Sequence, residues 1–174
     1  MPLPENVRIE RLESTQPSWQ RFLAFADERG EGAGLDAKTC EYHAGPLTLV
    51  AHVRDQMVGY LRFWTQQIGI DEDKPGLERD DRPVLEAKIV AFFVKPQYRR
   101  RGIGRCLKQT AVSWARDLDC YQVRERSCYS NIENHALNVS LGFGIQPAVN
   151  EDEGDCSAYF MLPVNTHETA SMSG

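Results

Sequence analysis

Ala87-Lys88-Ile89-Val90-Ala91-Phe92-Phe93-Val94, followed at once by Lys95-Pro96-Gln97-Tyr98-Arg99-Arg100-Arg101-Gly102-Ile103-Gly104, is the stretch on which the architecture turns. Its first eight residues are apolar almost throughout, which predicts a central strand covered on both faces. Pro96 cannot continue such a strand. From Ile103 onward, Leu107, Ala111, Trp114, Ala115 and Leu118 fall on one stripe, with Arg105, Lys108, Gln109, Arg116 and Asp117 elsewhere, so an amphipathic helix follows. A buried strand that feeds a helix through an Arg/Gly loop brings free backbone N–H groups and the positive end of a helix dipole to one spot, suited to phosphate. A dipole contact is worth only about 0.3–1 kcal/mol at a surface, so several N–H bonds plus the charge of Arg99, Arg100 and Arg101 are needed for useful affinity.

Working outward, Val7 to Leu12 alternates apolar and charged residues as a half-buried strand does. Ser14 or Thr15 is then placed to cap a helix to about Arg29, with Trp19, Phe22, Leu23 and Ala26 on one face and Gly30, Gly32 and Gly34 ending it. Leu47 to Val53 and Val58 to Trp64, joined by Arg54-Asp55-Gln56, predict a hairpin. Thr65 to Arg82, with few apolar residues and many acidic ones, reads as a long acidic loop. Downstream, Gln122 to Ser127 is a strand, Asn131 to Leu141 a helix stopped by Gly142, and Phe143 to Val149 and Ala158 to Leu162 are closing strands around the acidic turn Glu151 to Asp155. The order is therefore strand, helix, hairpin, central strand, helix, strand, helix and final strands, an α/β (α+β) fold on a mixed central sheet.

The chain has 174 residues, 41% apolar and 26% charged, which is enough for a core and argues for a single domain over 1–163 with a polar tail over 164–174. Its net charge of −5 has the wrong sign for a nucleic-acid or anionic-membrane partner. No apolar run approaches the roughly 20 residues of a spanning helix, and Met1 to Glu10 is unlike a signal peptide, so a cytoplasmic location is expected. Cys40, Cys106, Cys120, Cys128 and Cys156 form no CxxC pair, and His43, His52, His135 and His167 show no ligand spacing, so reduced thiols and no metal are expected.

The Arg/Gly loop fits neither of two familiar phosphate loops. A dinucleotide fingerprint needs GxGxxG after the first strand, and a Walker loop needs GxxxxGK with Ser or Thr. A solvated basic turn is the plain alternative. The run Val94 to Gly104 does, however, resemble the acyl-CoA signature of the GNAT superfamily of N-acyltransferases: Arg or Gln, two residues, Gly, one residue, then Gly or Ala. Asn131 and the later Leu141-Gly142-Phe143 resemble the second half of that pattern, and the order of elements agrees over roughly residues 7 to 163.

The resemblance implies a GNAT-like mixed sheet with two splayed parallel strands and acetyl-CoA as cofactor. Its pyrophosphate would sit on the loop comprising Arg99, Arg100, Arg101, Gly102, Ile103, Gly104 and Arg105, and its pantetheine arm would lie against Phe92, Phe93 and Val94. One of the two phenylalanines is expected in the core, since successive strand residues face opposite ways. Asn131 matches the family's helix-leading Asn, which contacts the cofactor arm. Asn138, counted with the cofactor-contacting positions, stands where many members carry a Tyr that protonates the leaving thiolate, and asparagine cannot act as an acid. Tyr129 or a water is the replacement, with Ser140 weaker. Glu86 is the expected general base through a water relay; a surface carboxylate at a strand end is the competing reading.

The implied activity is direct transfer of an acetyl group to a primary amine of a small molecule or protein. The alternative is a catalytically silent acyl-CoA-binding regulatory module. A nucleic-acid module using Arg99 to Arg101 ranks third, against the acidic balance of the rest. The acidic stretch Asp71 to Asp81, with Glu41 and Glu151 to Asp155, reads first as solvated loop charge, with attraction of a cationic acceptor as the alternative. A homodimer stays open, since the sequence fixes no oligomeric state.

Overall fold

The computed structural model describes residues 6–28, 44–69, 75–149 and 156–165. Along the chain run β1 (Val7–Leu12), α1 (Trp19–Asp27), β2 (Ala44–Val53), β3 (Gln56–Gln67), β4 (Glu78–Arg79), β5 (Arg82–Pro83), β6 (Leu85–Val94), α2 (Ile103–Asp117), β7 (Gln122–Cys128), α3 (Ile132–Ser140), β8 (Gly144–Val149) and β9 (Cys156–Pro163). Seven strands form one sheet in the order β1-β2-β3-β6-β7-β9-β8. All its neighbours are antiparallel except β6 and β7. The apolar run of β6 is thus explained by position, with helices on both faces of the sheet.

On one face α1 lays Phe22, Phe25 and Ala26 on Val50, Met57, Tyr60 and Phe93. The i, i+3, i+4 spacing makes that stripe, and the Tyr60 ring meets Phe22 and Phe25 edge-on at 5.5 and 5.7 Å. On the other face α2 buries Ile103, Leu107, Ala111 and Ala115 among Leu49, Leu61, Phe63, Ile89 and Val123. Each of the fully buried Ile, Leu and Phe side chains contributes about 1.5–3 kcal/mol relative to exposure.

The register of β6 against β3 contains one irregularity. Arg62 pairs with Ala91 and Phe63 with Ile89, so Val90 is an extra residue on β6. A bulge reverses the in/out parity of everything after it. Phe92 consequently packs on the α2 side with Ile89, and Phe93 turns to the α1 side.

Two expectations need correcting. The first helix begins at Trp19 rather than at Ser14 or Thr15 and ends at Asp27; Gln16 and Trp19 instead close turns on Glu13 and Gln16, because Pro17 disfavours helical geometry in the residue before it. Gly30, Gly32 and Gly34 lie outside the described residues. The stretch Thr65 to Arg82 is not all loop, since β3 continues to Gln67 and β4 pairs with β5 across Asp80 and Asp81, at φ 51° and 59°. Two consecutive left-handed residues are what a tight hairpin turn requires, but strands so short carry no apolar alternation to read. Val164 and Asn165 donate to Tyr121 O at 2.8 and 3.4 Å, just past the end of β9.

Candidate active site

Parallel pairing of β6 with β7 covers only Glu86–Ile89 against Gln122–Glu125. Beyond Ile89 and Glu125 the strands diverge, leaving a cleft of about 250 Å³ walled by Ile89 to Phe92 on one side and Glu125 to Cys128 on the other, with Asn131 and Asn134 at its border. The bulge at Val90 falls at the vertex of this opening. From Val90 onward β6 is paired with β3 on one edge only, so among the described residues its other row of N–H and C=O groups has no strand partner. An extended chain bearing amides fits such an edge.

The Arg/Gly loop follows β6 directly. It is anchored by Lys95 N to Val58 O at 2.8 Å and by Tyr98 Oη donating to Gln56 Oε1 at 2.9 Å. After a 3-10 turn over Pro96–Tyr98, Arg100 and Gly102 both take left-handed geometry, φ 60° and 82°. For arginine this costs about 1–2 kcal/mol, whereas Gly102 adopts it freely as the N-cap of α2. Cys106 N is the first to bond back, to Gly102 O; the amides of Gly102, Ile103, Gly104 and Arg105 therefore have no intrahelical acceptor. No acidic residue occupies the first turn of α2, so the dipole's positive end is left for an external anion. Gly104 has a packing reason as well. A Cβ there would stand 3.0 Å from Phe92 Cζ and 3.4 Å from Leu137 Cδ2, so its absence lets the helix start lie close under the cleft wall.

At the vertex sits a buried polar knot. Glu125 accepts from Lys108 Nζ of α2, and from Asn134 Nδ2 and Asn138 Nδ2 of α3, both at 2.9 Å. Lys108 also donates to Asn138 Oδ1 at 2.5 Å, and its Nζ lies 4.6 Å from the Phe92 ring centre. Burial pulls the Lys108 ammonium below its usual range, and the Glu125 carboxylate opposes that pull. The knot ties Glu125, the last residue of β7 paired with β6, to α2 and α3.

Of the residues expected at the site, Phe92 and Asn131 border the cleft, and Arg99 to Arg105 run from the turn after β6 into the first turn of α2. Arg99 donates to Val94 O at 3.1 Å, Arg101 stacks 5.7 Å from the Tyr98 ring centre, and Arg105 donates to Ser140 Oγ at 2.7 Å. Ile103 is buried in the core, which leaves only its N–H to the loop, and Val94 is likewise a core residue. Phe93 belongs to the α1 core rather than to the cleft, for the parity reason given above. Asn138 is a correction too. It is fully buried with both ends of its amide committed to Lys108 and Glu125, so no part of it reaches a ligand.

Glu86 also differs from expectation. It is buried, pairs with Gln122 at the closed end of the ladder, and accepts from Gln66 Nε2 (2.8 Å), Gln122 Nε2 (2.9 Å) and Arg124 Nη2 (2.6 Å) and Nε (2.9 Å). A carboxylate offers about four lone-pair sites, and these donors fill them, leaving none for a water. Three residues of strand, about 10 Å, separate it from the vertex at Ile89. Tyr129 is exposed and follows Cys128 at the cleft border. Glu41 and Glu151 to Asp155 lie outside the described residues, as does Cys40. Cys120 is buried, its thiol pushed up to about 12 by burial and by the charges of Asp119 and Glu86.

Sequence reasoning missed Lys108, Glu125, Ser127 and Asn134. A signal existed: Lys108 lies on the helical wheel beside Ala111 and Ala115, and Glu125 shares the inward parity of Val123 and Ser127. A lysine and a glutamate at two core-facing positions ask for each other.

An acyl-CoA fits these residues: four free amides at a helix start, an unpaired strand edge, and Asn134 Oδ1, which is buried in the cleft border without a protein partner. The comparisons agree. Residues 8–143 match the family model described as Acetyltransferase (GNAT) family. Over 76 residues the chain is 27% identical to an aminoglycoside N(6')-acetyltransferase type 1 of Stenotrophomonas maltophilia, covering 44% of each protein. Over 57 residues it is 35% identical to the enzyme of the same name from Acinetobacter baumannii, covering 33% of this chain and 39% of that one. The chain thus spans less than half the length of the curated relatives it matches. Its fold matches that of Arabidopsis thaliana NAA60 in complex with acetyl-CoA (TM-score 0.66, 14% identity, 91% of this chain and 99% of that one). It also matches the ribosomal-protein-S18-alanine N-acetyltransferase of Escherichia coli (TM-score 0.63, 18% identity, 94% and 97%).

Proposed function

Since the chain belongs to the acetyltransferase (GNAT) family, we propose that it transfers the acetyl group of acetyl-CoA directly to a primary amine of a small molecule or a protein. The single observation that carries this reading is the splay of β6 from β7 directly upstream of a helix start whose amides are free. Acetyl-CoA supplies a thioester carbonyl that an amine can attack. The amides of Gly102 to Arg105 bind the diphosphate, with Arg100 and Arg101 adding charge. The unpaired edge of β6 holds the arm in extended form, Phe92 shields it from water, and the vertex limits how deep it can run.

The new bond is between amine nitrogen and acetyl carbon, and the bond broken is C–S. One proton leaves the amine and one goes to the thiolate. An amine with pKa near 10.4 must first give its ammonium proton to solvent, which at neutral pH corresponds to about 4–5 kcal/mol. Holding both reactants in place supplies much of the remaining acceleration. Glu86 has no part in this reading, because its oxygens are occupied. Tyr129, beside the cleft residue Cys128, is the proton donor we assign to the thiolate.

A silent acyl-CoA-binding module is favoured by one observation, the burial of Asn138 where many family members place an acid. Thiol release from acetyl-CoA over a broad amine panel, together with calorimetric binding of CoA, separates the two. Turnover with any amine supports the enzyme; CoA binding without turnover supports the module; absence of CoA binding defeats both. The panel needs aminoglycosides and an alanine-bearing peptide of ribosomal protein S18, since an aminoglycoside and the S18 alanine appear in the names of a relative and a structural neighbour.

A further inference from the structure

Asn134 occupies the first turn of α3 and is nearly fully buried. Its Nδ2 group donates to Glu125 Oε1 at 2.9 Å and to Ser127 Oγ at 3.2 Å, so both amide hydrogens are used. Turning the amide over would set Oδ1 against the Glu125 carboxylate, acceptor against acceptor, so the orientation is fixed. Glu125 is itself held by Lys108 and Asn138. The outcome is a rigid carbonyl, Asn134 Oδ1, that is buried yet accepts no hydrogen bond from the protein, on a residue bordering the cleft between β6 and β7. Native proteins rarely leave such an acceptor unused, because the desolvation of an unpaired carbonyl is not recovered. Asn131, the residue expected to meet the arm, has its Oδ1 turned to Asn134 N as a helix cap, at 3.4 Å.

Resting on the proposed function, we infer that Asn134 Oδ1 accepts an amide N–H of the pantetheine arm, making Asn134 a binding residue for acyl-CoA. Glu125 and Ser127 are its positioning residues. The chemistry is selective: the acceptor faces a donor, and an ester oxygen in the same place would leave two acceptors opposed.

The test is calorimetric binding of three kinds of ligand to wild type and Asn134→Ala: CoA, adenosine 3′,5′-bisphosphate, which has no arm, and two CoA analogues in which one or the other arm amide is replaced by an ester. Wild type is expected to bind one of the two ester analogues about tenfold more weakly than CoA. Asn134→Ala is expected to lose about tenfold for CoA, to bind that analogue as it binds CoA, and to keep its affinity for adenosine 3′,5′-bisphosphate within about twofold. Equal loss for CoA and the bisphosphate in Asn134→Ala, or unchanged CoA binding, overturns the assignment. Should the variant not fold, wild type alone decides: both ester analogues binding like CoA overturns it. Wild type that binds neither CoA nor the bisphosphate instead overturns the proposed function, and the two failures are told apart.

Discussion

Lys108→Met isolates the buried pair at the cleft vertex. The substitution keeps the length and apolar stem of the side chain but removes its charge. In the native protein the Lys108 side chain is 0% and that of Glu125 6% exposed, so the carboxylate left behind has no water to replace the ammonium. Removing one member of a buried pair costs about 3–5 kcal/mol, a large share of a typical net stability of about 5–15 kcal/mol. Asn138 Oδ1 also loses its donor. For a domain of this length each kcal/mol moves the melting point about 2–4 °C, so Tm should fall by roughly 6–20 °C. Adding Glu125→Gln removes the stranded charge while keeping a carbonyl for Asn134, so the double variant should recover more than about 1 kcal/mol relative to additivity. Thermal melting and urea unfolding of the wild type, both single variants and the double variant at pH 7.5 measure the Tm shift and the cycle energies. A Lys108→Met protein that melts within 2 °C of wild type, or a strictly additive cycle, would refute the account of the vertex as a charge-paired knot.

Three further outcomes are expected. Gly102→Glu puts a side chain on a left-handed N-cap and a negative charge at the helix start proposed to hold the diphosphate; calorimetry should show CoA binding lost while far-UV circular dichroism is unchanged. Glu86→Gln leaves the half-buried Arg124 without its counter-charge, so it should cost about 1–3 kcal/mol in urea titration while kcat falls less than tenfold; a larger kcat loss at wild-type stability would instead identify a base. His52 Nε2 lies 2.9 Å from Glu10 Oε2, and burial, aided by Arg8 and opposed by Glu10, holds its pKa below the ordinary 6.5. The unfolded chain then takes up the proton first, so this contribution is present above pH 6.5 and is lost as pH falls towards the folded value; melting of wild type against His52→Gln between pH 7.5 and 5.5 should show wild type losing more.

The central strand, the loop after it and the helix that follows were legible because their signals are local. An apolar run of eight residues, a proline, two glycines and a helical stripe each act within a few positions of themselves. The order of elements followed in the same way. The boundaries that slipped, at Ser18 and within 65–82, did so because a proline upstream and a two-residue strand leave almost no periodic trace.

What the chemistry at the vertex looks like was decided only by the folded chain. Which of Phe92 and Phe93 borders the cleft depends on one extra residue, Val90, and a bulge exists only relative to a partner strand. Whether Glu86 is a base or an ion-paired strut depends on Gln66, Gln122 and Arg124 converging from β3 and β7. Lys108, Glu125, Asn134 and Asn138 lie on three different elements, and their meeting is a matter of tertiary distance. Residue type and spacing specify what a segment can form, whereas desolvation, hydrogen-bond occupancy and free valence belong to a side chain only once its neighbours are in place.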